Sequence, residues 1–177
     1  MNKIDVTKLL HSVIDLELSI DDAQELMIGP DARRQGIFAR LDVELAEFAK
    51  TAGWMDVLHH NRELDKEQLL KVYVRVLSLF LLFSAKKQWT HLVVLSDEQW
   101  ERITGSEKKG QLADLNREYL AIKNFLNTAY TNRLQANFSH AWHMILKMGL
   151  IDFGFDTQSI EEAYIEMIDQ ANDQYAN

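Results

Sequence analysis

Two glutamates three residues apart, Glu44 and Glu47, are the side chains best placed by type and spacing to do chemistry. At i and i+3 of a helix their carboxylates project to one side, and paired carboxylates anchor a hard divalent cation. At 100° per residue Glu44 lies beside the apolar stripe through Ile37 and Phe48, while Glu47 sits one step further round, near Arg40. A second residue stands out downstream: Arg75 is the only charged residue between Val72 and Ala85. A guanidinium cannot shed its charge, and breaking a buried ion pair costs about 3–5 kcal/mol. A buried Arg75 therefore requires an anion, and Glu44 and Glu47 are the nearest candidates if their two helices pack antiparallel. The alternative is that Arg75 snorkels to the surface past Tyr73 and Leu79.

Other combinations carry less. His140 and His143 have metal-compatible spacing, but Trp142 lies between them and no carboxylate pair or third histidine is near in sequence, so they read as ordinary helix residues. His59-His60 precedes Asn-Arg-Glu and reads as a solvated turn. No glycine-rich phosphate loop is present, and no serine has an elbow or a paired base. The absence of cysteine excludes disulfides, thiolate zinc sites and cysteine nucleophiles.

The elements that must position these residues read as helices. One proline and seven glycines in 177 residues leave few turn signals, and a strand-and-turn architecture needs them every ~8–12 residues. Apolar spacing predicts helices over residues 6–27 and 31–52, the second carrying Ile37, Phe38, Leu41, Leu45 and Phe48 and ending at Gly53. A third begins at Asp65 as N-cap and is apolar nearly all round from Leu69 to Phe83, the mark of a central, surrounded helix. Thr90 to Leu95 has strand character, and Ser96-Asp97-Glu98-Gln99 reads as a capping box opening a short helix. Helical pattern resumes over 111–132, continues over 138–148, and closes the chain over 157–173; residues 54–61 are ambiguous. The expectation is an all-α bundle of about six helices in one domain spanning 1–177.

A net charge of −8 without a basic cluster argues against nucleic acid as a partner. The most apolar run, Val76 to Ala85, has ten residues against the ~20 of a membrane span. The N-terminal residues lead into an amphipathic pattern rather than an apolar signal core, so a cytoplasmic location is expected.

The stretch from Ile37 to Phe83 resembles the core of the dimeric all-α dUTP diphosphatases, relatives of the MazG-type all-α NTP pyrophosphatases. That family carries Glu-x-x-Glu on one helix and Glu-x-x-Asp on the next, together binding magnesium. Val43-Glu44-Leu45-Ala46-Glu47-Phe48-Ala49 matches the first half. Leu69-Leu70-Lys71-Val72-Tyr73-Val74-Arg75-Val76-Leu77 matches the frame of the second, where the family reads Leu-Leu-Glu-Glu-Tyr-Val-Asp-Gly-Leu. Ile160 to Glu166 is similar to the family's final helix. In this frame the second pair of carboxylates becomes Val72 and Arg75. Val13 stands where a glutamine addresses uracil, and Met167, Ala171 and Asn172 stand where the family has Lys, Asn and His.

The resemblance implies an all-α NTP pyrophosphatase-like homodimer. Its departures imply a degenerate magnesium site, with Arg75 in the metal's place and pairing with Glu44 and Glu47. At about 4 Å and an effective dielectric near 20, an arginine and a dication repel by roughly 8 kcal/mol. The expected protein is therefore a homologue with little or no hydrolysis, needing no cofactor and retained in a structural, nucleotide-binding or regulatory role. Two alternatives stand beside it. One is an active magnesium- or manganese-dependent pyrophosphatase, converting dUTP to dUMP and pyrophosphate, whose ligand set is completed by Glu67, Asp42, Asp56 or Glu63. The other is a helical interaction module without nucleotide affinity.

Overall fold

Residues 2–55 and 64–176 are described by the computed structural model of the chain, and among them are seven α-helices and no strand. Local chemistry sets the ends of most of these helices. Helix α1, Val6–Gln24, is capped by the Asp5 carboxylate accepting from the Lys8 amide at 3.0 Å. Helix α2, Pro30–Ala52, starts on proline, whose missing N–H is no loss there, and stops at left-handed Gly53 with φ 73°. Helix α3, Lys66–Lys86, is capped by Asp65 through the Gln68 amide at 3.0 Å. Helix α4, Asp97–Thr104, opens on the reciprocal Ser96/Gln99 box that the sequence predicts. Helices α5, Leu112–Asn132, and α6, Gln135–Lys147, follow; a π turn over Met148–Asp152 then leads towards α7, Thr157–Tyr175.

Two expectations change. The continuation over 138–148 is a helix of its own, because Arg133 adopts a left-handed backbone (φ 56°) that ends α5; among the described residues the count is seven rather than about six. The strand-like stretch 90–95 instead holds a 3-10 turn, Thr90–Leu92. Its Val93 and Leu95 side chains are buried, and the Val93 carbonyl accepts from Trp142 Nε1 at 3.0 Å rather than from a neighbouring strand. Of the ambiguous segment, Trp54 is buried; Asp56, His59, His60 and Glu63 lie outside the described residues.

Helices α2 and α3 are antiparallel. Phe38 meets Phe83, Glu44 meets Arg75 and Phe48 meets Tyr73, so positions rise along one helix as they fall along the other. Helices α1 and α7 complete a four-helix layer around α3. A second layer, α4 to α6, docks through aromatic residues: Phe80 and Phe83 of α3 against Phe138 and Trp142 of α6. Helix α3 is consequently buried on nearly every side, from Leu69 to Ser84. By length and composition it is also the one helix among the described residues apolar enough to cross a membrane, yet most of it is enclosed by its own chain. Its apolarity thus needs no second copy to cover it, and the homodimer expectation rests on the resemblance alone.

Candidate functional site

Arg75 sits mid-way along α3 on the side facing α2. Its Nε donates to Glu44 Oε2 at 2.9 Å, with the arginine side chain one-third exposed and the glutamate 15% exposed. Glu47 does not join them: its Oε2 lies 3.3 Å from Lys50 Nζ, one turn along its own helix. The two carboxylates that share a helix side in sequence are therefore divided between a long-range and a local partner. Val72 is fully buried and lines neither cavity that Arg75 borders.

Arg75 stands between two openings. One, of about 510 Å³, lies between α3 and α7 and is bordered by Glu67, Lys71, Glu162 and Glu166. The other, of about 400 Å³, is enclosed by α1, α2, α3 and α7. Val13, Leu16 and Ile20 of α1, Leu79 and Leu82 of α3, and Met167 and Ala171 of α7 supply its apolar wall. Arg33, Arg40 and Arg75 approach its rim together with Glu17 and Asp21. Three positions that the resemblance assigns to substrate contact, Val13, Met167 and Ala171, thus share one cavity with Arg75; Asn172 does not line it.

The rim is mostly self-compensated. Arg33 donates to Asp21 at 2.8 Å and to Glu17 at 3.0 Å, and these bonds, the one to Asp21 foremost, hold its guanidinium above the ordinary arginine value. Lys86 also pairs with Glu17. Arg40 is different: it borders the cavity with no hydrogen bond or ion pair among the described residues. Sequence reasoning passes over Arg33 and Arg40 as site residues. The i, i+4 carboxylates Glu17 and Asp21, flanking an apolar face and followed past a turn by arginines, are the signal that could find Arg33; nothing in sequence distinguishes Arg40 from any surface arginine.

Of the carboxylates proposed to complete a displaced metal site, the two that are described, Glu67 and Asp42, do not gather here. Glu67 pairs with Lys71 at 2.6 Å and Asp42 pairs with Lys123 of α5. Among the described residues no group of three or more His, Asp or Glu is arranged to hold a metal ion. Magnesium needs several converging oxygens in near-octahedral array; Glu44 engaged by Arg75, Glu47 turned to Lys50 and a buried valine at position 72 do not fit it.

A separate polar network ties α5, α6 and the π turn. Lys147 Nζ lies 2.9 Å from Glu118 and 2.8 Å from Asp152, and the Lys109 amide donates to Asp152 at 2.7 Å. Burial pushes the Glu118 carboxyl up from its usual range. Burial also opposes the Lys147 charge, but hydrogen bonds to Asp152 and Glu118 outweigh it and hold the amine above its ordinary value. His140 and His143 border a cavity of about 390 Å³ beside this network. Burial pushes His143 down, and its Nε2 is enclosed without a hydrogen-bond partner.

Comparison of the chain with protein-family models, curated proteins and solved structures finds no match.

Proposed function

We propose that this chain is a dUTP-diphosphatase-like helical protein in which the Arg75–Glu44 pair replaces the magnesium site. It is retained as a nucleotide-binding, structural or regulatory protein rather than as an efficient hydrolase. The observation that carries the reading is convergence. Positions drawn from three separated parts of the resemblance, Val13, Arg75 and the Met167/Ala171 pair, border one cavity, and the substituted Arg75 bonds a glutamate of the family's first motif at 2.9 Å. Two further positions of the resemblance, Val72 and Asn172, lie outside that cavity. The chemistry of the substitutions agrees with their placement: a cation stands where a cation was held, and apolar side chains stand where polar substrate contacts are expected.

The test is pyrophosphate release from a panel of deoxy- and ribonucleoside triphosphates, dUTP included, with protein at micromolar concentration and magnesium or manganese present. No turnover above a blank is expected with either metal. Turnover that disappears on Glu44→Gln or Glu47→Gln would overturn the reading, because it would show a working cation site despite Arg75. Manganese is included because it occupies imperfect oxygen sites more readily than magnesium does.

A further inference from the structure

We propose that the cavity enclosed by α1, α2, α3 and α7 binds, without any metal ion, a ligand built from one anionic head group on an apolar body. The proposal rests on the preceding reading only in that Arg75, not a cation, occupies the head of the cavity. Charge decides the head group. Four cationic side chains, Arg33, Arg40, Arg75 and Lys86, meet three carboxylates, Glu17, Asp21 and Glu44, at or beside the rim. Arg33 and Lys86 are absorbed by Glu17 and Asp21, and Glu44 takes the Nε of Arg75. What remains, among the described residues, is an Arg40 with no partner and an Arg75 whose terminal nitrogens carry no hydrogen bond.

That surplus of one positive charge matches a single carboxylate, and a single phosphate of about −1.5 to −2 charges exceeds it by one unit or less. Arginine forks bind either group bidentately. A triphosphate would bring far more negative charge than the rim can neutralise, and the rim already holds carboxylates that would repel it. Size and lining decide the body. About 400 Å³ falls in the range of small-ligand sites. Apolar side chains such as Val13, Leu79 and Leu82 outnumber the uncharged polar ones, Ser78, Gln170 and Gln174, so most of a bound body would meet hydrocarbon.

Two probes test the body: octyl phosphate, which is apolar beyond its head group, and uridine monophosphate, which carries the same head group on a polar nucleoside. Binding of each to the full chain is followed by calorimetry with and without EDTA, beside dUTP with magnesium and inorganic phosphate alone. The expected result is saturable binding of octyl phosphate, unchanged by EDTA and stronger than that of inorganic phosphate or uridine monophosphate. It should weaken about tenfold or more in Arg40→Ala, the size expected for losing one charge-assisted contact. Arg40 is exposed on α2, so this variant should keep the wild-type helical spectrum; Arg75→Gln provides a second, independent loss. Binding of uridine monophosphate in preference to octyl phosphate would overturn the apolar body. Failure of octyl phosphate to bind, or binding indifferent to both substitutions, overturns the proposal, as does tighter, EDTA-sensitive binding of dUTP. Octyl phosphate binding alongside metal-dependent turnover would instead sink the decayed-site reading and leave this one standing.

Discussion

Arg75 shows how a single residue can announce its surroundings. In an otherwise apolar run a permanent charge demands an anion, and Glu44 on the neighbouring helix supplies it at 2.9 Å. The same logic fails for Glu47, because Lys50 at i+3 offers a local partner that no pattern argument ranks against the longer-range one. The pair is only partly shielded, so it stabilises less than a dry one. Glu44→Gln and Arg75→Gln should each lower stability by about 1–2 kcal/mol. The double variant should lose less than their sum, with a coupling of about 0.5–1.5 kcal/mol by urea titration. Strict additivity would mean that the contact contributes nothing in solution. His143 makes a second prediction at this scale. Burial holds its folded value below the ordinary 6.5, so as pH falls through that value the unfolded chain takes up a proton that the folded chain resists. The contribution is present above about 6.5 and is lost on acidification. Glu118, pushed up by burial, titrates in the opposite sense but is common to wild type and His143→Gln. Their difference in stability between pH 7.5 and 5.5 should therefore shift towards the variant at low pH; a pH-independent difference would count against the burial argument.

At the scale of elements, helices were legible because their signals are local: the Asp65 cap, the Ser96/Gln99 box and the terminating Gly53 need only a few neighbours to act. Residues 90–95 were misleading because Val93 and Leu95 satisfy strand propensity by being buried, and burial is equally available to a 3-10 turn with no strand beside it. The π turn was invisible, since its cause lies across the fold. A β-carbon added at Gly149 would come within 2.2 Å of the Tyr73 ring, whose hydroxyl donates to the Ile145 carbonyl at 3.1 Å inside the core. Neither partner can retreat: Tyr73 is fully buried, and Gly149 is fixed within the turn. Gly149→Ala should therefore cost about 2–3 kcal/mol through overpacking, read as a fall in the urea midpoint at unchanged slope. A loss under ~0.5 kcal/mol would mean that Tyr73 can turn aside.

For the whole molecule the question is whether the two layers unfold together. The α1–α3/α7 layer owes its order to helix-on-helix packing around α3, and the α4–α6 layer reaches it chiefly through aromatic contacts. Phe138 is the centre of that seam: it is fully buried, with ring centroids 5.8 Å from Phe80 and Phe83 and 5.6 Å from Trp89. Such a seam is hard to read in sequence, because a phenylalanine on an amphipathic helix looks the same whether it faces its own layer or the next. Two probes separate the layers. Far-ultraviolet circular dichroism averages over all the helices, whereas tryptophan fluorescence is weighted to the second layer and its edge, where Trp89, Trp100 and Trp142 are buried. If the shared apolar core makes one cooperative unit, both signals should lose structure at the same urea concentration. Phe138→Ala should then shift both midpoints together, at a cost of about 3–5 kcal/mol for a large buried aromatic. A fluorescence transition that precedes the dichroism change, in wild type or only in Phe138→Ala, would show that the α4–α6 layer opens first. The four helices around the ligand cavity would then be the stable unit, and the aromatic seam a boundary between two folding units.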